Sequence, residues 1–101
     1  MDGLISGFEW DDGNLEHCRK HGVSRSEIEE LFANPVIVLP DPAHSEIEPR
    51  RIAIGRTTLR RPIFVVFTIR ERGGHRYIRP ISARYMHKVE IKSYEKENPD
   101  L

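Results

Sequence analysis

Ile63-Phe64-Val65-Val66-Phe67-Thr68-Ile69 is apolar except for Thr68 and rich in β-branched and aromatic side chains. A run of this kind reads as a central strand covered on both faces. Four residues on, Gly73-Gly74 closes a hairpin into His75 to Ser82. Pro80 in that second arm cannot donate a ladder hydrogen bond, which implies an edge or a bulge there. Upstream, Arg51-Ile52-Ala53-Ile54-Gly55-Arg56 alternates: Ile52 and Ile54 share one face, while Arg51 projects from the other beside Ala53 and Gly55. The small neighbours place Arg51 over an open surface. Val36 to Leu39 is a further short apolar run, stopped by Pro40-Asp41-Pro42, and the polar stretch from Ala43 to Pro49 reads as a loop.

Helical signals lie on either side of this strand-rich middle. Phe8 to Trp10 reads as a short aromatic strand, and Asp11 or Asp12 can cap a helix running from about Asn14 to His21. Gly22 suits the left-handed position that ends it. Ser24 and Glu27 have capping-box spacing, and Ile28, Leu31 and Phe32 give the next helix one buried face before Asn34-Pro35 stops it. A last helix is expected from Ser82 or Ala83 to about Lys96, with Tyr85/Val89 and His87/Ile91 competing as its packing stripe. The connections are too short for parallel crossovers. The expected fold is therefore α+β, one domain over residues 1–101, with a small antiparallel sheet of about four strands, two N-terminal helices and one C-terminal helix.

The net charge is zero, but the charges are sorted. Residues 1–49 hold three Lys/Arg against eleven Asp/Glu, whereas residues 50–92 hold twelve against two. Only the second block resembles a surface for a polyanion, and the alternative is a solvated sheet whose arginines pair with the acidic helices. Cys18 is the single cysteine, so no internal disulfide can form. No apolar run approaches the roughly 18 residues that span a bilayer, and Met1-Asp2-Gly3 lacks the basic start of a signal peptide. A soluble, cytoplasmic protein without a membrane partner is expected.

Five ordered strings give a more specific reading: Phe8-Glu9-Trp10-Asp11; Lys20-His21-Gly22-Val23-Ser24; His44-Ser45-Glu46; Arg51 with Ile54-Gly55; and Ile78-Arg79-Pro80-Ile81-Ser82-Ala83-Arg84 with Glu90 and Tyr94 beyond. In this order and spacing the chain resembles the BrnT family of toxins over nearly its whole length. His17, Pro80 and Arg25 depart from the usual pattern, where asparagine, isoleucine and an aromatic residue are common. The resemblance implies a compact endoribonuclease similar in fold to RelE toxins. It also implies neutralisation by a cognate antitoxin that binds operator DNA, so that this chain meets DNA only through that partner.

Cofactor-free RNA cleavage needs a base for the 2′-hydroxyl, cations for the charge growing on phosphorus, and an acid for the leaving 5′-oxygen. Lys20, His21, Arg51 and Arg84 are the candidate catalytic set, with Lys20 and His21 facing the two arginines across the phosphate. His44, Arg79 and Tyr85 are candidate substrate contacts, the tyrosine and Trp10 as stacking surfaces. Each has a structural alternative: Lys20 and His21 as cations at a helix C-terminus, Arg84 as an anchor for Glu90, Arg51 as a partner of Glu46 or Glu48, Trp10 as core. His17 and His21 lie one helical turn apart, yet Cys18 stands where a zinc protease has its glutamate and Arg19 and Lys20 repel a cation, so no metal is expected. The competing functional class is a catalytically silent module that binds RNA or a partner without cutting.

Overall fold

A computed structural model describes residues 4–42 and 48–99. The elements run β1 (Gly7–Phe8), α1 (Asp12–Arg19), α2 (Arg25–Ala33), β2 (Val36–Pro40), β3 (Arg51–Arg56), β4 (Pro62–Arg72), β5 (His75–Tyr85) and α3 (Lys88–Glu97). The strands form one five-stranded sheet in the order β1-β5-β4-β3-β2. It is mixed: β1 runs parallel to β5, and every other pair is antiparallel. The expected α+β class holds, with one more strand than the sequence suggested, because Gly7–Phe8 and Val36–Pro40 both join the ladder.

Alternation along the strands sorts the side chains onto two unlike faces. On the first, Ala53, Ile63, Val65, Phe67, Ile78 and Ala83 pack against Cys18, Val23, Ile28 and Leu31 of the two N-terminal helices and their connection. Phe32 meets Phe67 edge-on at 5.1 Å between ring centroids. Gly55 lets α2 come close: a methyl group there would lie 2.7 Å from Leu31 Cδ1 and 3.1 Å from the Pro35 carbonyl oxygen. The small residues beside Arg51 thus mark the covered face. Arg51 itself stands next to Phe67 across the β3–β4 ladder, on that covered side and at its end.

The second face carries Ile52, Ile54, Phe64, Val66, Ser82 and Arg84, given the register that pairs Ile54 with Phe64 and Phe64 with Arg84. Among the described residues it is covered only at one end, by α3. Tyr94 is buried there, and Arg56 donates to Glu95 at 2.9 Å. Phe64 and Val66 are half-buried, so the central strand is sealed on one face and grooved on the other.

Two local features fix what lies around that groove. The first is the start of α1, where Asp11 and Asn14 exchange capping hydrogen bonds while Asn14 Nδ2 donates to the carbonyls of Glu9 and Pro80 at 3.0 and 2.8 Å. The β4–β5 register breaks beside Pro80, opposite Val66/Phe67, as its missing N–H implied. The second is the end of β5. Ser82 to Tyr85 continue the ladder opposite Ile63 to Val66, and α3 begins only at Lys88. The last helix therefore starts about five residues later than the sequence suggested, since the cross-strand partners outweigh a local pattern that was compatible with helix.

A candidate active site between the first helix and the open sheet face

The eight residues of α1 lie along β5, the strand beside the short edge strand β1. Cys18 turns into the core, while His17 and His21, four residues apart, border the open face. They line a groove of about 400 Å³ together with Ser82 and Arg84 of β5 and Glu90 of α3, over an apolar floor of Ile52, Phe64 and Val66. Burial pushes the Cys18 thiol up to about 11, which keeps it protonated and inert at neutral pH.

His21 sits in the turn after α1, which Gly22 ends at a φ of +85°. That turn is tied to the sheet. Tyr85 Oη lies 3.2 Å from the Gly22 carbonyl oxygen and 2.8 Å from Glu27 Oε1, and the Arg61 guanidinium lies 3.8 Å over the Tyr85 ring. Since adjacent strand residues point to opposite faces, Arg84 enters the groove while Tyr85 holds the turn that carries His21. Tyr85 is thereby tied to that turn, and Arg61 covers one face of its ring.

Arg84 is held with unusual firmness for a half-exposed arginine. Nη1 and Nη2 donate to Glu90 Oε1 and Oε2, each at 2.8 Å, and the guanidinium lies 4.5 Å over the Phe64 ring. Glu90 also accepts from the His87 N–H at 2.8 Å, so one carboxylate caps α3 and fixes the arginine. The hydrogen bond from Arg84 and the one from His87 hold the Glu90 carboxyl down to about 2, and Glu90 in turn raises Arg84 further above its ordinary range. A carboxylate whose pKa is depressed on folding stabilises above its unfolded value, and that stabilisation is lost as pH falls through the folded one. Wild-type stability is therefore expected to decline between about pH 4.5 and pH 2 by more than that of Glu90→Gln. Urea midpoints measured across that range test this, and parallel curves for the two proteins would contradict it. Solvent screening keeps the difference modest.

The remaining candidates lie elsewhere. Lys20 is exposed at the C-cap of α1 and does not line the groove. Arg51 borders a separate depression of about 240 Å³ with Glu48 and Thr68, and Glu48 pairs with Arg70 at 2.9 Å. The structure thus joins His21 with Arg84 but not with Arg51. Arg79 is an anchor: it bonds Glu9 at 3.3 Å and Asp11 at 2.9 Å, and holds the Asp11 carboxyl below its ordinary range. Arg70 and Arg72 also converge on Glu9, at 4.0 and 3.1 Å, so the acidic first half answers much of the basic second half. Trp10 donates to Glu29 at 2.9 Å and packs on the core. His44 and Glu46 lie outside the described residues.

The groove residues outside the sequence candidates include His17, Phe64, Ser82 and Glu90. The i, i+4 spacing of His17 and His21 is visible in the sequence, where it raises a metal site. Among the described residues no three His, Cys, Asp or Glu side chains gather as a metal-binding group. Ser82 and Arg84 share a strand face at a spacing of two, a pattern hidden by reading that segment as helix. Beyond Phe64 and Glu90 the groove continues under α3 into an apolar depression of about 420 Å³ bordered by Ile37, Leu39, Met86 and Tyr94.

The family model of the ribonuclease toxin BrnT of type II toxin–antitoxin systems matches residues 10–90. That span runs from the tryptophan before α1 to the carboxylate that holds Arg84. No curated protein matches the chain.

Proposed function

The chain belongs to the BrnT family of ribonuclease toxins of type II toxin–antitoxin systems, and from that premise we propose that it is a metal-independent endoribonuclease whose proton-transfer and phosphate-binding groups are His21 and Arg84. The observation that carries the reading is the shared groove, in which an imidazole from the α1 turn and a guanidinium from β5 border the same space. Arg84 stays cationic through the whole pH range of activity and stabilises the charge that develops on the phosphorane oxygens. His21 exchanges a proton with the reacting oxygens. Lys20, exposed beside His21, adds positive potential at the entrance. A cognate antitoxin neutralises the enzyme, and through it alone the toxin is brought to operator DNA.

One observation favours the second reading, a silent RNA-binding module: Glu90 already occupies both terminal nitrogens of Arg84. In the enzyme, a phosphate would have to share or displace that carboxylate. Growth separates the two. Expression of the wild-type chain is expected to arrest growth, Arg84→Ala to relieve the arrest, and co-expression of the cognate DNA-binding antitoxin to restore growth. Arrest that persists undiminished in Arg84→Ala would contradict the assignment.

A further inference from the structure

Transphosphorylation of RNA needs two proton-transfer groups, because the entering 2′-oxygen and the leaving 5′-oxygen stand on opposite sides of phosphorus in an in-line displacement. His21 supplies one. The groove offers few candidates for the other. Arg84 of β5 cannot give up its proton near neutral pH, and Glu90 of α3, whose carboxyl Arg84 and the His87 N–H hold down to about 2, has no proton to give and is too weak a base to take one. Ser82 is a neutral hydroxyl, and β3 and β4 contribute only Ile52, Phe64 and Val66. On α1 itself, Lys20 does not line the groove, and Arg19 neither lines it nor releases a proton.

His17 remains. It borders the same space as His21 and Arg84, about one turn earlier on the helix, and neither imidazole has a side-chain partner among the described residues. Both are exposed, so substrate can reach either imidazole. We propose that His17 and His21 are the acid–base pair of a transphosphorylation that cuts RNA to a 2′,3′-cyclic phosphate and a 5′-hydroxyl. This rests on the ribonuclease reading above and assigns its second proton-transfer group. In the step, one neutral imidazole takes the proton from the 2′-hydroxyl as the O2′–P bond forms. The other, as imidazolium, gives its proton to O5′ as the P–O5′ bond breaks. No water is consumed, and solvent exchange restores the two protonation states.

The test uses two forms of one oligoribonucleotide, with oxygen or with sulfur at the bridging 5′ position of the scissile bond. A thiolate leaves without protonation, so the sulfur substrate bypasses the acid but not the base. His17→Ala and His21→Ala are each expected to cut the oxygen substrate about 10²–10⁴-fold more slowly than wild type. On the sulfur substrate one variant recovers the wild-type rate and the other stays impaired. Wild-type products should carry 2′,3′-cyclic phosphate ends, and a 2′-deoxy residue at the scissile position should block cleavage. Full activity of His17→Ala on the oxygen substrate, or the same response of both variants to sulfur, would overturn the pairing. Because both side chains are exposed, unchanged urea midpoints should accompany the losses. If the wild-type protein leaves both substrates intact, the ribonuclease reading falls and the pairing with it, an outcome distinct from an active enzyme indifferent to His17.

Discussion

Arg84→Ala is expected to slow RNA cleavage by about 10²–10³-fold, the usual effect of removing one preorganised donor aimed at developing charge. The size follows from how the side chain is held. Two hydrogen bonds to Glu90 and the Phe64 ring below fix the guanidinium before substrate arrives, so little reorganisation is left for the transition state. Arg84→Lys is expected to lose much of the same rate, since an ammonium can neither match the two carboxylate oxygens as a fork nor lie flat on phenylalanine. The fold should survive either change. Glu90 keeps its bond to the His87 N–H and still caps α3. Single-turnover cleavage beside urea unfolding separates the two effects, and an Arg84→Ala enzyme as fast as wild type would remove the guanidinium from the chemistry.

Phe67→Ala is expected to cost about 3–5 kcal/mol of stability, the range for deleting a large buried aromatic ring. Phe67 is fully buried in the middle of β4, with Phe32 of α2 edge-on against it and Phe8 of β1 5.8 Å beyond Phe32. Phe67 therefore seats α2 on the central strand, and Phe32 carries the contact on to the strand that leads into α1. A domain of this size has only about 5–15 kcal/mol in total, so the variant should be marginal. It should also lose RNA cleavage in proportion to its unfolded fraction. A urea midpoint corresponding to a loss under about 1 kcal/mol would show that the core closes over the gap, contrary to the expectation from a rigid interior.

What could be read in the sequence was mostly what local chemistry decides. Ser24 and Glu27 form the capping box their spacing implied, and Gly22, Gly73 and Gly74 adopt the positive φ that their places in turns require. The run from Ile63 to Ile69 is the central strand, and Pro80 sits at a register break. What could not be read was decided by partners distant in the chain. Ser82 to Tyr85 tolerate a helix, and only Ile63 to Val66 opposite make them strand. That single difference moves Arg84 and Tyr85 to opposite faces and brings the Tyr85 hydroxyl to the turn that carries His21.

Arg51 illustrates the same limit from another side. Alternation correctly placed it on a face with Ala53 and Gly55, but small side chains are equally suited to an open surface and to a close helix. Leu31 occupies that space, so the second is the case here. For the candidate site, His21 and Arg84 were legible as residues and their shared groove was not. Two of the structural alternatives raised for the arginines hold as well: Arg84 does bind Glu90, and much of the basic surface is answered by acidic residues from the first half.

The most direct measurement is cleavage of a defined RNA by the purified protein at high enzyme excess, with chelator present and the antitoxin absent. Fragments ending in 2′,3′-cyclic phosphate, lost in Arg84→Ala and in His21→Ala and suppressed by added antitoxin, are the expected result. RNA that stays intact under those conditions, with the protein folded, would contradict the assignment of this groove as a ribonuclease active site.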